Sequence, residues 1–415
     1  MLKLDSIPLF IVFEIILNKH NKYYNASCYF CAMDQPVYDY IFSGFGLAAY
    51  LSLDAMLEIG CLEGKQILII DSPEPPEEKT WSYWERGKGL YDVLLLASWK
   101  KGWFVSPHQQ TECLRSELIY KSISSVALRN YLVEKIRKHD NISITFENVV
   151  DFSDDGNHIS LTTNRNRYQS KKLFNSIPKT TLDFGDTPVL LQHFEGWVIQ
   201  SPQLSFAQDE MVLMDFTVPQ RHATRFMYVL PFSQTQALFE YTLFSPSLID
   251  KNQYEQGIRD YLSSKNITEY TIEKTESGVI PMTVYPFWKA NTKNILHIGT
   301  AGGWTKPATG YTFLNALPLA AKLANDIKNQ NSDFTRFFKT NRFLWYDRLL
   351  IEVLYRDNAS GQQLFTQLFT KANPANVLRF LQQQTHFWQE LPILLACPKV
   401  PFIKAALRSL RPYKK

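Results

Sequence analysis

The residues that could do chemistry lie in three places. Residues 44–49 read G-F-G-L-A-A, a G-x-G-x-x-A spacing made by Gly44, Gly46 and Ala49. That spacing suits a pyrophosphate. The first glycine permits a tight turn, the second lets backbone approach phosphate at a helix N-terminus, and the third position must be small so that helix and strand can pack. Asp71 ends the next apolar run, where a carboxylate accepts from a ribose hydroxyl. It favours FAD or NAD over NADP, whose 2′-phosphate it would repel. The second place is HIGTAGGWTKPATGYTF, residues 297–313, which sets Gly299, Gly302, Gly303 and Gly310 between two apolar runs. Either its backbone comes close to something flat and anionic, or it is a flexible turn entering a helix. The third place is a pair of acids in apolar strands: Glu240 in QALFEYTLF and Asp215 in LMDFT. A carboxyl among apolar groups stays protonated at neutral pH and can act as a proton donor. The same residues on a solvent-facing or hydrogen-bonded side would do no chemistry, and the sequence leaves both facings open. His297 reads as a packed core histidine.

These residues need elements to hold them. VYDYIF, the glycine turn, a helix from about Leu47 and KQILIID form a β-α-β unit. PEPPEEKTWSYWERGKG reads as a surface loop carrying Trp81 and Trp84, either as a hydrophobic staple or as the lining of a site mouth. SELIYKSISSVALRNYLVEKIRKHD reads mainly as an amphipathic helix, and residues 142–177 as three short strands joined by polar turns. From about Gln192 to Val284, alternating strands interrupted by the helix NQYEQGIRDYLSSK predict an antiparallel sheet. From about Asp333 onward the pattern is helical, with Pro374, Pro392 and Pro398 as breaks. The expected architecture is α/β: a Rossmann-like FAD-binding domain of the two-dinucleotide flavoprotein type (33–185 and 285–330), an antiparallel-sheet substrate domain (186–284) and a helical lid (331–415). Residues 1–32 are expected to be an extension outside the fold, which would begin at Met33.

Composition sets the limits. The chain has 415 residues, 45% hydrophobic and 20% charged, as in a folded protein, with 28 Phe, 21 Tyr and 9 Trp. A net charge of +4 is too small to point to nucleic acid. Five cysteines do not make a disulfide framework, and Cys28 and Cys31 form a lone C-x-x-C with no second pair, so no metal site is expected. A reducing, cytoplasmic setting fits, and no transmembrane helix is expected.

SGFGLAA, KTWSYWE, FMYVLPFSQTQALFEYTLFS, SGVIPM and GTAGGWTKPATGYTF occur together in an order that resembles the flavin-dependent lycopene β-cyclases, over roughly Pro36 to Leu407. The resemblance implies a redox-neutral closure of the open ends of lycopene, or a related linear C40 carotenoid, to β-rings. It implies reduced FAD, with NAD(P)H as the electron source, and peripheral contact with the membrane where the substrate resides. Within it Glu240 is the expected acid and Asp215 a second candidate. Trp81, Trp84 and Tyr241 are candidate substrate-lining residues, and the glycines of 299–310 wrap the flavin. LFEYT corresponds to a family segment with two adjacent acids. This chain keeps Glu240 but has Tyr241 for the second, which loads the chemistry onto Glu240. The rival readings are a flavin oxidoreductase acting on a prenyl or carotenoid chain, geranylgeranyl-reductase-like or a hydroxylase, and a carotenoid-binding protein without catalysis.

Overall fold

The computed structural model describes residues 36–410, apart from 75–77, 116, 180–181, 208 and 332. The extension 1–32, Met33, the Cys28–Cys31 pair and the basic end 411–415 lie outside the described residues. β1 (Val37–Ser43), α1 (Leu47–Glu58) and β2 (Ile67–Asp71) open the fold. β3 (Thr80–Arg86), β4 (Leu95–Trp99), β5 (Lys101–Val105), β6 (Gln110–Glu112) and β7 (Leu118–Ser124) lead to α2 (Ser125–Ile136). β8 (Ile142–Phe146), β9 (Val149–Asp154), β10 (Ile159–Thr163) and β11 (Arg167–Asn175) follow. Then come β12 (Leu190–Gln200), β13 (Glu210–Asp215), β14 (Thr224–Pro231), β15 (Gln236–Ser245), α3 (Lys251–Ser264) and β16 (Thr271–Met282). β17 (Ile295–His297) precedes α4 (Phe313–Lys328), and α5 (Arg342–Arg356), α6 (Gly361–Lys371), α7 (Pro374–Leu381), α8 (Phe387–Ala396) and α9 (Lys399–Ser409) end the described chain.

The first sheet runs β8-β2-β1-β11-β10-β9, with β17 beside β11. β8, β2, β1, β11 and β17 are parallel; β2, β17 and the ends of β1 and β11 are buried, as in the interior of a covered parallel sheet, whereas β8 at the edge is partly exposed. β17 thus brings the glycine-rich segment back beside the first β-α-β unit. The second sheet runs β16-β12-β15-β14-β13-β5-β6. Its strands alternate. Phe239, Tyr241 and Leu243 of β15 pack with α3, whose buried Tyr254, Ile258, Tyr261 and Leu262 recur at helical spacing. Leu238 and Phe244 join the core on the opposite face.

Several sequence expectations change. KTWSYWE is strand β3, paired with β7 in a three-stranded sheet, and not a loop. The stretch read as one helix is β7 followed by α2. The switch falls at Ser124, whose hydroxyl caps the helix by accepting from the Val126 amide. The expected three strands are four, because β8 leaves the meander and pairs in parallel with β2. β5 and β6 join the second sheet beside β13, so that sheet draws on residues well before 186. Pro392 lies inside α8, whereas Pro374 begins α7 and Pro398 caps α9.

Candidate active site

The G-x-G-x-x-A turn joins β1 to α1. Gly44 has φ +85°, and a Cβ there would lie 2.3 Å from Ser176 Oγ, so only glycine fits. Gly46 begins α1 with no side-chain cap and open space where a Cβ would be, leaving the first helical amides facing outward. Ala49 is fully buried in the helix–sheet contact. Asp71 Oδ1 accepts from the Phe45 amide at 3.1 Å, which ties the second strand to the turn. Its Oδ2 lies 3.8 Å from Arg129. Arg129 lies on α2, in the stretch whose sequence reads mainly as an amphipathic helix. It lines, with Phe45, Gly46, Tyr50 and Trp81, a cleft of about 1030 Å³ at the helix N-terminus. The cleft can therefore offer an anion both a cation and free amides.

The return segment packs on this unit. A Cβ on Gly299 would touch Ala48 Cβ at 3.2 Å, and one on Gly302 would collide with the His297 carbonyl. Gly303 lies against Phe287. Gly310, at φ +70°, brings backbone so close to β12 that a Cβ would sit 2.3 Å from Gln192 Oε1. That oxygen is buried and has no hydrogen-bond partner among the described residues. Thr312 then starts α4 without a side-chain cap, leaving its first amides open as well. Lys306 is held in a buried ion pair with Asp347 of α5. His297 Nδ1 lies 3.0 Å from Asn175 Nδ2, and burial, then the Lys179 charge, pulls its pKa down to about 4.

Glu240 faces the second-sheet side that carries Tyr228, its cross-strand partner, and Gly196 on β12. It is partly accessible, and the protein around it still strips its carboxyl of water. Burial, reinforced by the charge of Glu276, pushes its carboxyl up to about 8, although Thr242 Oγ1 donates to Oε1 at 2.7 Å. Around it are the phenols of Tyr228, Tyr120 and Tyr311. Tyr228 donates to Tyr120, and the Tyr120 and Tyr311 hydroxyls are 3.1 Å apart. Burial raises all three phenols, so they remain neutral donors and acceptors. Trp84 meets Tyr311 edge to face at 4.7 Å and anchors its indole N–H on the Leu378 carbonyl. Trp81 and Trp84 point to opposite faces of β3: Trp81 lines the helix-terminus cleft, and Trp84 joins the phenols.

Two candidates do not belong here. Asp215 faces α3. Its Oδ1 accepts from Thr217 N and Oγ1, its Oδ2 from Tyr261 at 2.8 Å, and Lys265 is 3.6 Å away. It is buried and fully engaged, so it holds the helix on the sheet. Tyr241 also points to α3, because adjacent strand residues face opposite ways. Its ring packs on Gly257, and its hydroxyl lies 3.4 Å from Arg225. A carboxylate at 241 would not share Glu240's face. Sequence reasoning missed Glu276, Tyr120, Tyr228 and Tyr311. Glu276 sits in TIEKTESG, which alternates like a solvent-exposed strand. Gly196, a glycine in mid-strand, was a signal that something approaches there.

The fold is that of FAD-binding flavoproteins. A flavin-dependent brominase superposes with a TM-score of 0.60 at 12% identity, over 91% of this chain and all of its own. A geranylgeranyl bacteriochlorophyll reductase-like protein from Thermoplasma acidophilum gives 0.56 at 12% identity, over 90% and 99%. The family model for lycopene cyclase protein matches residues 39–407, and the chain belongs to that family. A lycopene β-cyclase from Pseudescherichia vulneris is 30% identical over 210 residues, 47% of this chain and 53% of the relative. The chain thus spans about half the length of the curated relatives it matches.

Proposed function

We propose that this chain closes the open end groups of lycopene, or a related linear C40 carotenoid, to β-rings without net oxidation or reduction. The observation that carries this reading is Glu240: a carboxyl pushed up to about 8, across from Tyr228 and its linked phenols Tyr120 and Tyr311, in a member of the lycopene cyclase family. At neutral pH it holds the proton that the terminal alkene needs. Protonation leaves a tertiary cation, which water would trap. The packing of Tyr120, Tyr228, Tyr311 and Trp84 excludes water and presents π-faces to positive charge.

The residues present fit FAD. Gly44, Gly46, the open α1 amides and Arg129 suit the pyrophosphate, and Asp71 suits the ribose. Gly310, Gln192 Oε1, which has no partner among the described residues, and the uncapped start of α4 suit a flat ring with polar edges. When bound and reduced, with NAD(P)H as electron source, the flavin supplies an electron-rich surface for the cationic carbons.

The substrate resides in lipid, so the enzyme is proposed to dock on the cytoplasmic face of a membrane. No helix among the described residues is long and apolar enough to cross one. α8 and α9 expose Phe387, Trp388 (77% exposed), Leu395, Ile403 and Leu407 beside Lys399, Lys404 and Arg408, a pairing that suits an anionic lipid surface.

Expression in cells that accumulate lycopene tests the reading. Cyclic carotenoid of unchanged formula is expected. Unchanged lycopene from an expressed, flavin-loaded protein would reject it, and stoichiometric NAD(P)H consumption with a reduced product would favour an oxidoreductase.

A further inference from the structure

Gly196 lies in the middle of β12, between two neighbours. On one side its register partner is Glu240 of β15, and on the other it is Glu276 of β16. The three residues are level across three strands, so both acids project from one face, their Cα atoms on the order of 10 Å apart from twice the strand spacing. A Cβ at 196 would lie 3.3 Å from Glu276 Cγ and 3.5 Å from Glu240 Cβ. A side chain there would stand between the acids, and glycine leaves that space open. Each carboxyl is anchored by a hydroxyl: Thr242 donates to Glu240 Oε1 at 2.7 Å, and Thr80 to Glu276 Oε2 at 3.3 Å.

We propose, building on the cyclase reading, that Glu276 is the base of the reaction, taking the proton lost after ring closure and returning it to Glu240 across Gly196. The family's second acid is missing at Tyr241, but that position faces α3 and could not serve this purpose. Glu276 supplies a second carboxyl from another strand on the correct face.

The steps balance. Glu240 gives its proton to the less substituted carbon of the terminal double bond, and a tertiary cation forms. The electron pair of the internal double bond makes the ring bond, and the cation moves to the far carbon of that bond. The ring carbon that made the bond then loses its proton to Glu276, and its C–H electron pair becomes the ring double bond. Glu240 is now ionised and Glu276 protonated. One proton transfer between them restores the start, and no oxidant or reductant is consumed.

The surroundings support this division of roles. Glu240 is raised first by burial and then by the negative charge of Glu276, which suits a proton donor at Glu240 facing a base at Glu276. Burial raises Glu276 as well, with Glu78 adding to the rise, whereas Lys274 and the Thr80 hydroxyl lower it. Lys274 is itself bridged to Glu78 at 2.9 Å. Tyr228 and Tyr311, on the other side of Glu240, are neutral phenols with strongly raised pKa values.

The test uses the full chain with reduced flavin and lycopene in phospholipid vesicles. Wild type is assayed first, and failure to form rings would reject the cyclase reading itself. With wild type active, Glu276→Gln should keep flavin and lycopene binding and lose about 10²–10⁴-fold in kcat. Its residual activity should fall off at a lower pH than wild type, because the charge that raises Glu240 is gone. Glu276→Asp should recover part of the rate. Wild-type kcat with an unmoved alkaline limb in Glu276→Gln would overturn the proposal. If that variant does not fold, Thr80→Val decides. Losing its hydrogen bond should move the acid limb of the pH profile to higher pH, and an unmoved acid limb would equally overturn the proposal.

Discussion

The two faces of the second sheet carry similar residues in opposite states. On the α3 face, Asp215 is satisfied by Thr217, Tyr261 and Lys265, and His193 sits between Ser245 and Tyr254. On the other face, the Glu240 carboxyl is pushed up to about 8 by burial and Glu276, and Gln192 has an oxygen without a partner among the described residues. Buried polar groups that are saturated by protein hold structure together. Buried polar groups left in tension with their surroundings are where chemistry or a ligand is expected. An acid in an apolar strand is therefore not informative until its facing is known.

Substitutions should separate the faces. The largest effect is expected at Glu240. Glu240→Gln keeps the shape and cannot transfer the proton, so cyclisation should fall by about 10²–10⁴-fold while flavin content is retained. Asp71→Ala removes the acceptor of the Phe45 amide and the proposed ribose contact. Flavin should bind about one to two decades more weakly, as read by fluorescence titration, since a hydrogen bond to a charged acceptor contributes roughly 1.5–3 kcal/mol. Asp215→Asn should do the reverse of Glu240→Gln. Denaturant unfolding should show a loss of roughly 1–3 kcal/mol from the weakened buried bonds, and the protein that remains folded should turn over normally. A collapse in turnover without loss of stability would place Asp215 in the chemistry and erase the contrast between faces.

A smaller effect sharpens the same contrast through pH. Glu240 titrates near 4.5 when unfolded and about 8 when folded. Its contribution to stability is fully present below 4.5 and is lost as pH rises toward 8, because unfolding releases a proton across that window. The melting temperature of Glu240→Gln, relative to wild type, should therefore climb between those limits. A constant difference would show that Glu240 ionises normally. The smallest effect is expected from Tyr241→Phe, which loses only a long contact with Arg225 on the helix face and should leave turnover unchanged.

How far the site was legible depended on how local the signal was. The G-x-G-x-x-A turn and Asp71 could be read because one β-α-β unit fixes them. Glu240 stood out as an acid in an apolar strand. The facing of Asp215 was not legible, because β13 shifts register between Val212 and Met214 against β5, and such irregularities change which side a residue faces. Glu276 was hidden for a different reason. Its strand alternates like an exposed edge, and only the pairing of β15 and β16 on either side of Gly196 brings it to Glu240. Trp84 was read as part of a loop because a Pro-rich stretch precedes it. Its strand is defined by pairing with β7, whose own sequence reads mainly as helix.

The most direct measurement of proton-initiated, redox-neutral closure is the reaction of wild-type, pre-reduced enzyme with lycopene in vesicles made up in D₂O, followed by mass analysis of the carotenoid. In a single turnover of enzyme already equilibrated in D₂O, proton donation from an exchangeable carboxyl predicts one deuterium in the first ring formed, with no net consumption of NAD(P)H; the protium that Glu276 takes up enters only later turnovers. A cyclic product without deuterium, or a product carrying added hydrogen with matching NAD(P)H oxidation, would contradict it.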